Sequence, residues 1–193
     1  MLRVDALRAI YPELSRCVVV TNMGAAPAEL FSLGHQPGFF YLWHSMGLAS
    51  SVGLGIALSR PELQVIVVDG DGSLLMNLGS LTTLARHKPA NLLHVVFDNE
   101  VLLSVGRSFT TATATGSDLA AIAAGAGIAR TGTCRTEEEL RRAFLEALAA
   151  RELALLVAKV EPQGPPSYFI DLHFLESRFQ FQRHLRQLKE NPR

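Results

Sequence analysis

The chain has 193 residues, 48% hydrophobic and 19% charged, so it can bury a sizeable core and fits one large domain or two small ones. Eighteen Lys and Arg residues balance eighteen Asp and Glu residues, which argues against nucleic acid or an anionic membrane as the main partner. The two cysteines lack CxxC spacing, no apolar run reaches the roughly 18 residues of a membrane helix, and no signal peptide is recognisable. These features predict a cytoplasmic globular protein.

Short apolar runs predict the strands of a buried sheet. The clearest lie at residues 17–20, 65–68 and 92–97, and weaker ones lie at 127–131 and 153–160. Strands without polar alternation are covered on both faces, as in parallel sheets. Because helical stretches alternate with these runs, we predict an α/β fold: a doubly wound, mainly parallel sheet with helices on both faces.

The predicted helices cover residues 27–31, 45–59, 73–87, 117–124 and about 136–148. The second is rich in Gly, Ala and Ser, so we expect it to pack very closely against a neighbour. Ser117 is expected to cap the fourth helix, and Thr136 with Glu139 form the pattern of a capping box at the start of the fifth.

No linker divides the chain before a proline-rich segment at residues 162–166. We therefore predict one domain over residues 1–160 and a C-terminal tail over residues 161–193. Residues 171–189 have the pattern of a helix with an apolar side that docks on the domain and a basic side that faces solvent.

The segment with the clearest chemical signature is Gly70-Asp71-Gly72-Ser73, between a predicted strand and a helix. Glycines let the backbone approach a ligand closely, and the N–H groups at a helix start favour phosphate. An aspartate would repel a phosphate unless a cation lay between them, so Asp71 indicates a hard cation, most simply Mg²⁺. Asn99 ends the next strand at the same edge of a parallel sheet and can offer an amide oxygen to that cation. Gly-Asp-Gly alone is also typical of a tight turn before a helix.

The pairing of Gly70-Asp71-Gly72-Ser73 with Asp98-Asn99 after the following strand resembles the cofactor signature of thiamine diphosphate (ThDP) enzymes, in their diphosphate-binding (PP) domain. The resemblance extends upstream through residues 43–55 and covers about residues 18–160. Within the family, the chain most resembles the beta subunit of sulfopyruvate decarboxylases and the matching half of phosphonopyruvate decarboxylases. It implies a ThDP- and Mg²⁺-dependent decarboxylase subunit that converts such a 3-substituted pyruvate, a small-molecule 2-oxoacid, into an aldehyde and CO₂.

The resemblance also implies a role for each matching residue. The cation would be bound by Asp71, Asn99 and the main-chain carbonyl of Val101, and the diphosphate by Gly70, Gly72 and Ser73.

A second group of residues would contact the rest of the cofactor. Met46 matches the apolar residue beneath the bent cofactor, and the carbonyl of His44 matches the acceptor of its 4′-amino group, so both are expected to be catalytic. Ser45 lies between them in the same cofactor-binding segment. The position of His44 is usually glycine in this family. Arg107, in a loop that departs from the family pattern, can bind an oxyanion of the substrate or remain in solvent.

In this family a glutamate on a separate pyrimidine-binding (PYR) domain activates the cofactor, and one PP domain occupies most of this chain. The resemblance therefore implies a separately encoded PYR (alpha) subunit that supplies the glutamate, and a hetero-oligomer. Two alternatives remain open: a ThDP-dependent carboligase subunit similar to acetolactate synthase, and a non-catalytic assembly subunit that retains the fold.

Overall fold

The computed structural model describes residues 1–105 and 109–190, with side chains up to residue 188. Within these residues, six parallel strands form one sheet in the order β2-β1-β3-β4-β6-β5. The strands are β1 (Val18–Thr21), β2 (Phe39–Tyr41), β3 (Val65–Gly70), β4 (Leu92–Asp98), β5 (Arg130–Cys134) and β6 (Ala154–Lys159). The predicted α/β class is confirmed.

Helices cover both faces of this sheet. They are α1 (Arg3–Leu14), α2 (Ala25–Leu33), α3 (Ala49–Ser59), α4 (Asp71–Leu75), α5 (Gly79–His87), α6 (Leu119–Gly125), α7 (Glu137–Ala150) and α8 (Phe174–Glu190), with a 3₁₀ helix at Ala112–Thr115. The helices α1, α2 and α7 contribute to one apolar core, and α3 to α6 contribute to the other. Alternate residues of β3 enter opposite cores, Ile66 the first and Val67 the second. None of the helices in the described part of the chain is long and apolar enough to cross a membrane.

The direction in which successive strands are added to the sheet reverses between β1 and β3, although the strands themselves are parallel. From β1 the chain moves outward to β2, and it then returns across β1 to build β3 and β4 on the other side. In open parallel sheets, ligands bind at the carboxyl ends of the strands beside such a switch. The fold thus predicts a binding crevice where β1 and β3 end.

Close packing of α3 on the sheet follows from a glycine at its contact with β3. A Cβ added to Gly53 would lie 2.3 Å from Cγ2 of Val67. The helix axis can approach the strand only because that Cβ is absent. The expected tight packing of this Gly- and Ala-rich helix is confirmed.

Two of the predicted helices were wrong in their bounds. The helix expected over 45–59 begins at Ala49. The helix expected over 73–87 is interrupted after Leu75, and Asn77 turns its side chain towards the carbonyl of Gly47 instead of continuing the helix surface.

Helix capping agrees with the sequence in one case and differs in another. Asp118, not Ser117, caps α6, because its carboxylate accepts the N–H groups of residues 120 and 121. At α7, the hydroxyl of Thr136 accepts the N–H of Glu139 as expected. The Glu139 carboxylate accepts the N–H of Arg135 rather than that of the cap residue.

The described tail ends in α8, which lies against the edge strand β2. Phe181 is buried and stacks on Phe40, with ring centroids 4.9 Å apart and planes 15° apart. Phe174, near the start of the helix, is half exposed and stacks on Trp43. The division into a domain and a tail at residue 160 stays a prediction.

Candidate cofactor site

A cavity lies at the carboxyl ends of β1, β3 and β4, beside the switch in strand order. The structure brings these predicted site residues together in its lining: Met46, Gly70, Asp71, Gly72, Ser73, Asn99 and Val101. The cavity therefore combines the turn after β3, the turn after β4 and the segment before α3.

The turn after β3 contains one glycine, Gly72, that a residue with a side chain could replace only if its neighbours moved. Gly70 precedes the first residue of α4, so the chain passes from strand to helix within one residue. A Cβ on Gly72 would lie 2.6 Å from Cδ2 of Leu102, and one on Gly70 would lie 3.4 Å from Nδ2 of Asn22. The absence of a side chain at Gly72 therefore lets Leu102 pack against this turn, and the N–H of Gly70 donates to Oδ1 of Asp69 at 2.9 Å.

Asp71 is the acidic residue of the cavity, and it is only 3% exposed. Its Oδ2 accepts a hydrogen bond from the hydroxyl of Thr111 at 2.6 Å, and the hydroxyl oxygen of Thr113 lies 3.3 Å away. Burial, together with the negative charge of Asp98, raises the pKa of the Asp71 carboxyl, although the Thr111 hydroxyl and nearby backbone N–H groups oppose this. A buried carboxylate whose charge is not neutralised by a nearby cation is suited to binding a metal ion.

The turn after β4 presents two further oxygen atoms. The side-chain Oδ1 of Asn99 accepts the N–H of Val101 at 3.1 Å, which tightens the turn and leaves a second lone pair on this oxygen. Glu100, between them, has a φ of 64°, in the left-handed region that such a tight turn requires. No described residue donates a hydrogen bond to the Val101 carbonyl oxygen.

Carboxylate, amide and carbonyl oxygens together form the hard donor set that Mg²⁺ prefers. The described residues include no group of three or more His, Cys, Asp and Glu side chains able to hold a metal. Asn22 lines the same cavity, and its buried Oδ1 has no hydrogen-bond partner among the described residues. The residues therefore fit a magnesium ion together with a ligand that has hydrogen-bond donors or is reached through water.

The position of Met46 is set by two contacts to the following residue. Gly47 donates its N–H to Oγ of Ser73 at 3.0 Å, and its carbonyl accepts a hydrogen bond from Asn77 at 2.9 Å. Gly47 has a φ of 82°, which favours glycine. Ser73 thus has a positioning contact in addition to its predicted place beside the diphosphate.

The structure does not bring every predicted residue to this cavity. His44 lines an adjoining cavity, which shares Gly24 and Tyr168 with the first, and its φ of 51° is one that glycine adopts without strain. Ser45 lines neither cavity, and its hydroxyl donates to the carbonyl of Trp43. Arg107 lies outside the described residues.

Sequence reasoning missed several polar residues of the cavity, among them Asn22 and Arg3. Asn22 is 5% exposed and directly follows β1, and a search for polar residues at strand ends would have found it. Arg3, in α1, is also 5% exposed and pairs with Glu29 through contacts of 2.7 and 3.0 Å. No local pattern distinguishes Arg3 from the other charged residues of an amphipathic helix.

A charged network surrounds Asp98, which precedes Asn99 in the chain. Thr113 donates to Oδ1 of Asp98 at 2.8 Å, and Nζ of Lys159 lies 2.9 Å from Oδ2 of Asp98 and 2.5 Å from Glu100. Burial by itself would lower the pKa of Lys159. The hydrogen bonds and negative charges of Asp98 and Glu100 together have the larger, opposite effect, so the pKa of Lys159 is raised. Lys159 therefore neutralises Asp98 and stabilises the turn after β4.

Comparison with known proteins assigns the chain to a family. The family model described as "Thiamine pyrophosphate enzyme, C-terminal TPP binding domain" matches residues 20–158. The chain belongs to this family. The resemblance inferred from the GDGS and DN motifs is confirmed, and with it the expectation of thiamine diphosphate as the cofactor of the domain.

Two relatives within the family are similar to this chain over most of its length. The chain is 36% identical over 180 residues to sulfopyruvate decarboxylase subunit beta of Methanocaldococcus jannaschii, covering 93% of this chain and 94% of the relative. It is 41% identical over 161 residues to phosphonopyruvate decarboxylase of Streptomyces viridochromogenes, covering 83% of this chain but only 40% of the relative. The chain is thus similar to a whole beta subunit and to less than half of the other enzyme.

A solved structure shows the same fold. Benzoylformate decarboxylase from Polynucleobacter necessarius aligns with a TM-score of 0.68 at 21% identity, over 86% of this chain and 33% of that chain. At this identity the likeness concerns the fold alone.

Proposed function

We propose that the chain is the diphosphate-binding subunit of a two-component decarboxylase that depends on ThDP and Mg²⁺. Its substrate is sulfopyruvate or phosphonopyruvate, and its products are CO₂ and an aldehyde. The observation that supports this most directly is the convergence of Asp71 and Asn99 on one cavity, in a chain similar over nearly its whole length to a sulfopyruvate decarboxylase beta subunit.

In the proposed site, Mg²⁺ is held by Asp71, Asn99 and the carbonyl of Val101. The turn at Gly70, Gly72 and Ser73, which lines the cavity, binds the diphosphate, whose negative charge the cation offsets. Thiamine diphosphate, when bound, supplies the electron sink that makes decarboxylation of a 2-oxoacid possible.

The chain's other residues orient the cofactor. Met46, fixed through the two hydrogen bonds to Gly47, provides the apolar support beneath it. The carbonyl of His44 accepts a hydrogen bond from its amino group, in a backbone conformation that matches the glycine usual at this position. A contact between Arg107 and the substrate, and a contact of Ser45 with the cofactor, stay predictions.

The proposed partner is a separately encoded PYR (alpha) subunit that contributes the activating glutamate. Three large apolar side chains around Met46 are exposed to solvent: Trp43 is 62% exposed, Met76 58% and Leu48 48%. Exposed apolar clusters of this kind are typical of protein interfaces. The similarity to relatives named as beta subunits points to the same arrangement.

The test is reconstitution with a PYR-type subunit, ThDP and Mg²⁺, followed by measurement of CO₂ and aldehyde from sulfopyruvate, phosphonopyruvate and pyruvate. We expect Asp71→Asn to lose Mg²⁺-dependent ThDP binding and activity, while Asp171→Asn, in the exposed tail, keeps both. Wild-type cofactor affinity in Asp71→Asn would refute the assignment. A condensed acid formed from pyruvate alone would indicate a carboligase, and a complex that binds ThDP but releases no CO₂ from any of the three would indicate an assembly subunit.

A further inference from the structure

Two buried threonines lie directly behind the proposed cation site. Thr111 and Thr113 are 6% and 7% exposed, and their hydroxyls are 2.8 Å apart. Both contact the same oxygen of Asp71, Oδ2, with Thr111 at 2.6 Å and Thr113 at 3.3 Å. The hydrogen bond from Thr111 and the adjacent hydroxyl oxygen of Thr113 therefore restrain the orientation of the Asp71 carboxylate before any cation binds.

Thr111 also connects the two turns that supply the proposed ligands. Its backbone N–H donates to the carbonyl of Glu100 at 2.9 Å, within the turn between Asn99 and Val101. Its hydroxyl donates to Asp71, at the end of β3. One residue therefore links the carboxylate on one strand end to the amide and carbonyl on the next.

Thr113 extends this connection to a neutralised acid. Its hydroxyl lies 2.8 Å from Asp98, which Lys159 pairs at 2.9 Å. Asp98 is thus paired with the ammonium group of Lys159. Asp71 is contacted by hydroxyl groups instead, so its negative charge stays available to an external cation. The hydroxyls separate the two carboxylates and give each a defined contact.

We propose that Thr111, assisted by Thr113, is a positioning residue that sets the affinity of this site for Mg²⁺. This inference rests on the proposed function, because it assumes that Asp71 and Asn99 hold the cation. Neither threonine touches the reacting atoms. Hydrogen bonds to metal-binding carboxylates typically change metal affinity about 10–100-fold when removed.

The experiment compares four variants in the complex with the PYR subunit. Thr111→Val removes the hydroxyl at nearly constant volume, Thr111→Ser restores it, and Thr113→Val removes the longer contact. Thr115→Val is the matched control, because Thr115 lies in the 3₁₀ helix that contains Thr113 and is exposed, and among the described residues its hydroxyl contacts the carbonyl of Ala112 alone. ThDP binding is followed during Mg²⁺ titration by the fluorescence of Trp43, the single tryptophan of the chain.

We expect the Mg²⁺ concentration for half-maximal ThDP binding to rise about 10–100-fold in Thr111→Val. It should rise less in Thr113→Val, and stay near the wild-type value in Thr111→Ser and Thr115→Val. At saturating Mg²⁺ the kcat of Thr111→Val should match the wild type. A purely structural role would instead lower the melting temperature without Mg²⁺ and would not be compensated by added cation.

Three outcomes would overturn the inference. If wild type binds ThDP with Mg²⁺ and Thr111→Val needs no more Mg²⁺, the positioning role is wrong while the proposed function stands. If kcat falls at saturating Mg²⁺ with unchanged Mg²⁺ dependence, the threonine acts on the reaction and not on the cation. If wild type shows no Mg²⁺-dependent binding, both the inference and the cation site are wrong. Should Thr111→Val fail to fold, Thr111→Ala and Thr113→Val decide the question by the same titration.

Discussion

The buried ion pair beside the cavity offers a test of how the site is supported. Arg3 and Glu29 join α1 to α2, and their side chains are 5% and 8% exposed. Two guanidinium nitrogens contact the two carboxylate oxygens at 2.7 and 3.0 Å, and Nη2 also donates to the carbonyl of Gln163 at 3.1 Å. Replacement of Arg3 by Met keeps most of the apolar contact and leaves the acid buried without its partner.

The expected cost follows from that burial. Removal of one member of a buried, hydrogen-bonded ion pair costs about 3–5 kcal/mol, because the remaining charge has lost its hydration and its partner. For a chain of this length, each kcal/mol lowers the melting temperature by about 2–4 °C, so Arg3→Met should melt roughly 10 °C below wild type. The double variant Arg3→Met/Glu29→Leu should recover most of this loss, because no buried charge remains.

The assay is urea unfolding and thermal melting, with a surface pair as the control. Arg130 and Glu152 lie 2.5 Å apart but are 38% and 46% exposed, so Arg130→Met should cost about 1 kcal/mol or less. An equal loss in Arg3→Met and Arg130→Met would refute the argument from burial. So would a double variant as unstable as Arg3→Met alone.

Three further predictions concern single residues. Burial raises the pKa of the Asp71 carboxyl above its value in the unfolded chain, so the native state binds a proton more tightly than the unfolded state. The unfolding free energy of the cation-free chain should therefore fall as the pH rises from the unfolded-state pKa through the higher native-state pKa. Asp71→Asn should lack this slope and gain about 1 kcal/mol at neutral pH, and an unchanged pH profile of thermal melting would contradict the assigned cause. Gly72→Ala should cost about 1–3 kcal/mol and weaken ThDP binding, because its Cβ would lie 2.6 Å from Leu102; wild-type stability and ThDP affinity in calorimetry would show that the contact yields freely. Burial raises the pKa of the Cys17 thiol to about 12, so iodoacetamide should modify it at pH 8 only after unfolding, and rapid labelling of folded chain, measured by mass spectrometry, would show that the thiol is accessible.

Strands buried on both faces were the most predictable part of the fold. The cores of β1, β3, β4 and β6 were identified because each is a continuous apolar run. The edge strand β2 was missed because it has three residues, too few to show a period, and it is recognised by its pairing with β1. The apolar pattern predicts the weak strand near 127–131 three residues early, since β5 begins at Arg130.

The site was predictable where its chemistry is local. Asp71 and Asn99 follow predicted strands, and parallel strands end at one edge, so their proximity could be inferred before the structure. Asn77 could not be assigned a role in this way, because its partner Gly47 lies 30 residues earlier in the chain. The contact exists only because α4 ends beside the segment that contains Met46.

The sequence alone determined the parallel α/β class, the family and the residue types that meet at the ends of β3 and β4. These are properties of short segments, in which apolar runs, glycines and a single acid have the same meaning wherever the rest of the chain lies. The tertiary structure decided which groups surround that acid. The hydroxyl that holds Asp71 comes from a residue 40 positions later, and the buried Arg3 reaches the cavity from α1. Such contacts depend on the packing of distant segments, and no local pattern in the sequence encodes them.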